Sequence, residues 1–240
     1  MATGGVARHD QQPVFVLHTY PFKETSLVVE LFSRNFGRVA TVAKGARRPR
    51  SAMRGMLQSF QPLIAVWSGK SELRTLHSLD WGEGLLLLQG EALICGFYLN
   101  ELLLRLLPRE DPHETLFDHY AQALHQLAAG ELMSPALRRF ELRLLQELGY
   151  AVPLQLQPDG VPVKPESVYC YLPEQGALLP DTPEIGVQLI GKTLLDMECD
   201  DYSDPVTLQQ SKQLMRSLLA HYLGDKPLHT RQILMDLQQL

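Results

Sequence analysis

Apolar positions along this chain change period near residue 81, and the change predicts two kinds of structure. Between residues 13 and 80 they come in short runs. Val14–His18 is strand-like, Pro21–Thr25 breaks it, and Ser26–Phe32 follows with residues that suit a pleated surface. Asn35-Phe36-Gly37 predicts a turn into Arg38–Ala43, which alternates. After a long basic interruption come Leu63–Trp67, a turn at Ser68–Ser71 and Glu72–His77. These runs form a three-strand meander, a longer connection and a hairpin. Five strands with a long link between the third and fourth fit an OB-type barrel. An SH3-like barrel shares the strand count, and count alone does not decide topology.

From Trp81 onward the period is helical. Ala92, Cys95, Tyr98, Leu99, Leu102 and Leu106 predict a helix that stops at Pro108. A second is predicted from His113 to Ala129. A third has Ser134 as N-cap, Pro135 behind it and Gly149 as C-cap. Residues 151–183 are rich in proline, and inside them Val168–Leu172, a Glu-Gln-Gly turn and Ala177–Leu179 read as a hairpin. Helices resume at about 184–197, 205–223 and 230–239, with Asp204 capping the middle one. The expected fold is α+β and multidomain. A barrel over 1–80 precedes a helical domain over 81–240, with 151–183 as a small inserted subdomain.

Charge sharpens this division. Residues 1–80 hold 11 lysines and arginines against 5 acids, whereas the whole chain carries a net charge of -5. Between Glu30 and Glu72 there is no acidic residue, and the basic ones are Arg34, Arg38, Lys44, Arg47, Arg48, Arg50, Arg54 and Lys70. A basic cluster on an acidic chain points to a polyanion, nucleic acid being the commonest in a cell. Guanidinium groups suit phosphate because their donor fork can bond two oxygens. Candidate DNA-contacting residues are Arg34, Arg38, Lys44, Arg47, Arg48, Arg50 and Arg54. Tyr20, Phe22 and Phe36 sit in the strand-connecting turns, either as platforms for bases or as packing at the barrel rim.

Other chemistry finds little support. Gly186–Thr193 satisfies the pattern G-x-x-x-x-G-K-[ST], but its bulky interior reads as helix and no strand is predicted before it. The acidic stretch Met197–Asp204 lacks the glycine and glutamate spacing of a calcium loop. The three cysteines, Cys95, Cys170 and Cys199, show no CxxC pair, which predicts neither a zinc site nor a disulfide framework. The polar N-terminus is no signal peptide, and the apolar stretch 85–107 is interrupted by charge, so a cytoplasmic protein without enzymatic chemistry is expected.

Leu17–Leu27, Phe36–Val39 and Val42–Arg47 resemble the opening of the bacterial DNA repair protein RecO family. The likeness continues through Leu57–Leu63, Tyr98–Leu103, Ala136–Leu142 and Leu148–Tyr150. The resemblance implies an OB fold, a helical domain and a small insert. It also implies a recombination mediator that binds single- and double-stranded DNA, anneals complementary strands and helps load RecA onto DNA coated by single-strand-binding protein. RecR is the implied partner, with RecF in the same pathway. Many members carry four zinc-binding cysteines in the insert, where this chain has only Cys170. The implied docking of the acidic tail of single-strand-binding protein needs a cation beside an apolar groove. Arg138, Arg139 and Arg143 form the clearest cluster for it. A ribosome- or RNA-associated OB protein is the rival reading.

Overall fold

The computed structural model describes residues 8–150, 152–180, 186–224, 227–230 and 232–233. They group into two compact units, residues 1–129 and 130–240. In the first, β1 (Arg8–Phe22), β2 (Ser26–Ser33), β3 (Gly37–Ala43), β4 (Leu63–Ser68) and β5 (Leu73–Trp81) close into a barrel of order β1-β2-β3-β5-β4. All pairs are antiparallel except β3 with β5. This is the OB-type arrangement, and it removes the SH3-like alternative. Strand β1 is long enough to close the barrel because its first half pairs with β4 and its second half with β2. A bulge between Val16 and His18 supplies the extra bend.

The barrel is filled by Val14, Val16, Val29, Leu31, Val39, Ala65 and Leu76 around a wholly buried Trp67. His9 and Phe36 close one end, their rings 5.6 and 5.5 Å from the Trp67 ring. Burial, reinforced by nearby Arg74, holds the His9 imidazole below its ordinary pKa.

Outside the barrel, buried Phe15, Leu17 and Phe32 form a second apolar layer. Helices α1 (Gly90–Leu106) and α2 (Glu114–Ala128) cover it. Phe117 lies 5.2 Å from Phe15 and 5.3 Å from Phe32, ring centre to ring centre. Asn100 donates to the Leu17 carbonyl and accepts from the Tyr120 hydroxyl, so three buried polar groups satisfy one another. Among the described residues no helix is long and apolar enough to cross a membrane.

The second unit contains α3 (Met133–Glu147), β6 (Val168–Leu172), β7 (Gly176–Leu178), β8 (Val187–Ile190), α4 (Gly191–Glu198) and α5 (Pro205–Leu223). Three local expectations need correction. Helix α3 starts at Met133, one residue before Ser134, and its cap position is Leu132. Pro135 therefore sits in the first turn, where no backbone N–H is needed. The helix expected at 184–197 begins only at Gly191, because Val187–Ile190 instead pairs with β6. A Cβ on Gly191 would strike the Lys164 carbonyl, so this strand-to-helix corner admits only glycine. The helix expected at 230–239 falls largely outside the described residues. The C-cap of α3 is Leu148 rather than Gly149, which follows it and stops the helix: with φ +80°, Gly149 donates to Gln146, and Tyr150 donates to Leu145.

Local bonds tie the described part of the inserted segment together. The Tyr169 hydroxyl accepts from the Lys164 amide at 2.9 Å, and the Tyr171 hydroxyl donates to the Pro153 carbonyl at 3.2 Å. Cys170 is buried between these tyrosines on β6. Among the described residues no His, Cys, Asp or Glu group is arranged to hold a metal ion.

Candidate nucleic-acid interface

The basic segment joins β3 to β4 and starts as a series of turns, with Gly45 at φ +68°. Its apolar residues are its anchors. Ala46 is wholly buried in the barrel core, and Met53, Met56 and Leu57 pack against that core. The intervening Lys44, Arg47, Arg48, Arg50 and Arg54 are left exposed. Among the described residues, none of these five makes an ion pair. Such a set of cations is held at fixed spacing by the core yet remains available to phosphate.

Backbone bonds then fix where the segment lies. The Arg47 amide donates to the Thr25 carbonyl at 2.9 Å, and its guanidinium donates to the Glu24 carbonyl at 3.3 Å. The connector is thereby tied to the β1–β2 turn. Immediately beyond that turn, alternation along β1 puts His18, Tyr20 and Phe22 on the outer face of the sheet, across from Glu30, Val28 and Ser26. Tyr20 is 46% exposed, with its ring edge-on to His18 at 4.4 Å. Lys23 lies 5.4 Å from the Phe22 ring centre. Exposed cations and an exposed aromatic strip therefore adjoin, which is the combination a single strand requires. Phe36 has the other role: it packs inside with His9 and Trp67. The place of His18 in this strip was not foreseen, because the expected first strand stopped before Tyr20.

Arg34 and Arg38 stand apart from the other five. They lie at the opposite end of the β2–β3 hairpin, about 20 Å away at the rise of a β-strand. Arg34 is clamped by Glu114 at 2.6 Å and Asp118 at 3.1 Å, and the Asp118 bond is the main cause of its raised pKa. Arg38 donates to the Leu104 carbonyl and lies 3.9 Å from Glu30, a buried carboxylate that also pairs with Arg109. Burial depresses the Arg38 pKa, with Glu30 opposing it. Both arginines thus bind the helical layer to the barrel.

The three arginines on α3 are in different surroundings. Arg138 is buried and paired with buried Glu141. Arg139 bonds Asp200 at 2.5 Å and stacks over Tyr202, its guanidinium 5.6 Å from the ring centre. Burial pushes the Tyr202 hydroxyl up to about 12. Arg143 is exposed and donates to Gln146.

Gly186–Thr193 forms no phosphate cradle. Its interior residues are strand β8, the Gly191 amide donates to Ser167, and the Lys192 amide donates to Pro165. Lys192 itself pairs with Asp196 at 2.5 Å and Asp204 at 3.1 Å. The donors that a phosphate would need are already committed.

Residues 9–84 match the model of the recombination protein O N-terminal domain, and residues 87–171 match that of its C-terminal domain. The chain belongs to the recombination protein O family. Relatives with the name DNA repair protein RecO extend the match to nearly the full length. That of Nitrosospira multiformis is 58% identical over 97% of this chain and 98% of its own. Those of Aromatoleum aromaticum and Dechloromonas aromatica are 55% and 54% identical, each over at least 96% of both chains. Family membership, the OB-type barrel and these relatives together assign the chain a role in DNA repair and recombination.

Proposed function

We propose that the chain binds DNA along the outer barrel face and the β3–β4 connector, and that it anneals complementary strands. In this reading Lys44, Arg47, Arg48, Arg50 and Arg54 neutralise phosphates while Tyr20 offers its ring to a base. Annealing needs no nucleotide hydrolysis, since base pairing supplies the free energy once cations screen the repulsion between strands. The observation that carries the reading is five exposed cations without acidic partners among the described residues, tied by Arg47 to the turn beside an exposed aromatic strip. Removing Lys44, Arg47, Arg48 and Arg50 together is expected to weaken binding to all DNA sequences. It should also flatten the salt dependence by about 0.7 per lost phosphate contact on single strands. An unchanged slope in that variant assigns the interface elsewhere.

The wider role proposed is that of a mediator acting with RecR and RecF to load RecA on DNA coated by single-strand-binding protein. The acidic tail of that protein would dock on the helical unit. Arg139 and Arg143 are the arginines of α3 that such a tail can reach, because Arg138 is buried against Glu141. Titrating a tail peptide into the Arg139→Ala and Arg143→Ala variants tests this docking; wild-type affinity in both would exclude α3.

A further inference from the structure

The first unit carries a second exposed surface whose chemistry is opposite to that of the basic connector. Downstream of β5, Leu85 and Leu87 are 75% and 66% exposed, while the alternating Leu86 and Leu88 are buried. This alternation is that of a strand, yet the segment belongs to no sheet. One of its edges is occupied by a side chain. Gln61 is buried, and its amide both donates to the Leu86 carbonyl at 2.6 Å and accepts from the Leu86 amide at 3.2 Å. Only an extended residue presents both groups to one side, so Gln61 takes the place of a neighbouring strand. In extended chain the N–H and C=O of Leu85 and Leu87 point the other way. Among the described residues those groups have no hydrogen-bond partner.

We propose that Leu85–Leu87 is a β-augmentation site for an extended peptide that carries basic residues. An open edge flanked by exposed leucines is the usual template for strand addition. Charge selects the occupant. Asp80, Glu83 and Glu91 flank the segment, are exposed, and make no ion pair among the described residues. Nucleic acid is disfavoured by these carboxylates. A second copy of this chain is disfavoured too, since an antiparallel pairing of the segment with itself would set the same acids against one another. A partner strand alternating apolar and basic residues satisfies the edge, the leucines and the acids together.

The probe is an acetylated eight-residue peptide alternating valine and lysine, titrated into the full chain. Binding is read from tryptophan emission, because Trp81 is half exposed beside the segment while Trp67 is buried in the core. Two further peptides are N-methylated, one on the valine amides and one on the lysine amides. The site predicts that one of the two loses binding and the other keeps it, since only one edge of the peptide joins the ladder. Replacing lysine by glutamate in the peptide should abolish binding. Leu85→Ser with Leu87→Ser should weaken it by at least about tenfold without shifting the melting temperature. Absence of binding by the parent peptide, or equal binding by both methylated forms, overturns the proposal. So does a wild-type dimer that Leu87→Ser dissociates, which would make the edge a contact between copies.

Discussion

Arg138 and Arg143 lie on the same helix with equal formal charge, and their surroundings give them different work. Arg138 is enclosed with Glu141, both less than a tenth exposed. Removing one member of a buried pair strands the other charge, so Arg138→Ala is expected to cost roughly 3–5 kcal/mol. Arg143→Ala, at an exposed site, should stay within about 0.5 kcal/mol. Urea unfolding of the two variants with matched slopes checks the contrast; similar midpoints would show that the Arg138 pair is not desolvated. The difference also governs how binding data are read. A loss of partner binding in Arg138→Ala reports on folding before it reports on contact.

At the scale of elements, helix α5 shows how a local signal becomes stability. Asp204 accepts from the Val206 amide at 2.8 Å and pairs with Lys192. The capping bond first, and Lys192 second, hold its carboxyl below the ordinary carboxylate range. A depressed folded pKa contributes stability that is present above the unfolded value near 4 and lost as pH falls through the folded value. Asp204→Asn keeps a cap without that titration, so its stability should decline less steeply than wild type below about pH 4. Parallel acid melts of the two proteins would refute this. The Asp204-Pro205 start and the Gly149 stop were legible because each depends on adjacent residues. The start of β1 at Arg8 was not, since the polar run Arg8–Gln12 is held by backbone pairing with β4. Strand β8 was missed because Val187, Ile190 and Leu194, spaced three and four apart, fit a helical stripe as well as Val187–Ile190 fits a strand. The basic connector was visible as composition. That Arg34 and Arg38 belong to a different end of the barrel was not, because their acidic partner Glu114 and acceptor Leu104 lie 80 and 66 residues away.

For the whole molecule, the question is how much chain is needed by the barrel proposed to bind DNA. Residues 1–129 hold 13 lysines and arginines against 12 acids, so the first compact unit is nearly neutral although its barrel is basic. The balancing acids are used selectively: Glu114 and Asp118 take Arg34, and Glu110 takes Arg74 at 2.8 Å, while the connector is left unpaired among the described residues. The helical layer also covers Phe15, Leu17 and Phe32, which would face water in an isolated barrel. Exposing three such side chains costs about 1.5–3 kcal/mol each, against a typical total stability of about 5–15 kcal/mol. We therefore predict that a fragment of residues 1–80 unfolds or aggregates, despite containing all of the barrel but Trp81, the last residue of β5. A fragment of residues 1–129 should melt cooperatively and keep the salt-dependent DNA binding of the full chain, including its loss on replacing Lys44, Arg47, Arg48 and Arg50. Calorimetry and DNA titration of the two fragments decide it. A stable, DNA-binding 1–80 fragment would mean that α1 and α2 are dispensable, and that the exposed apolar layer is tolerated at little cost.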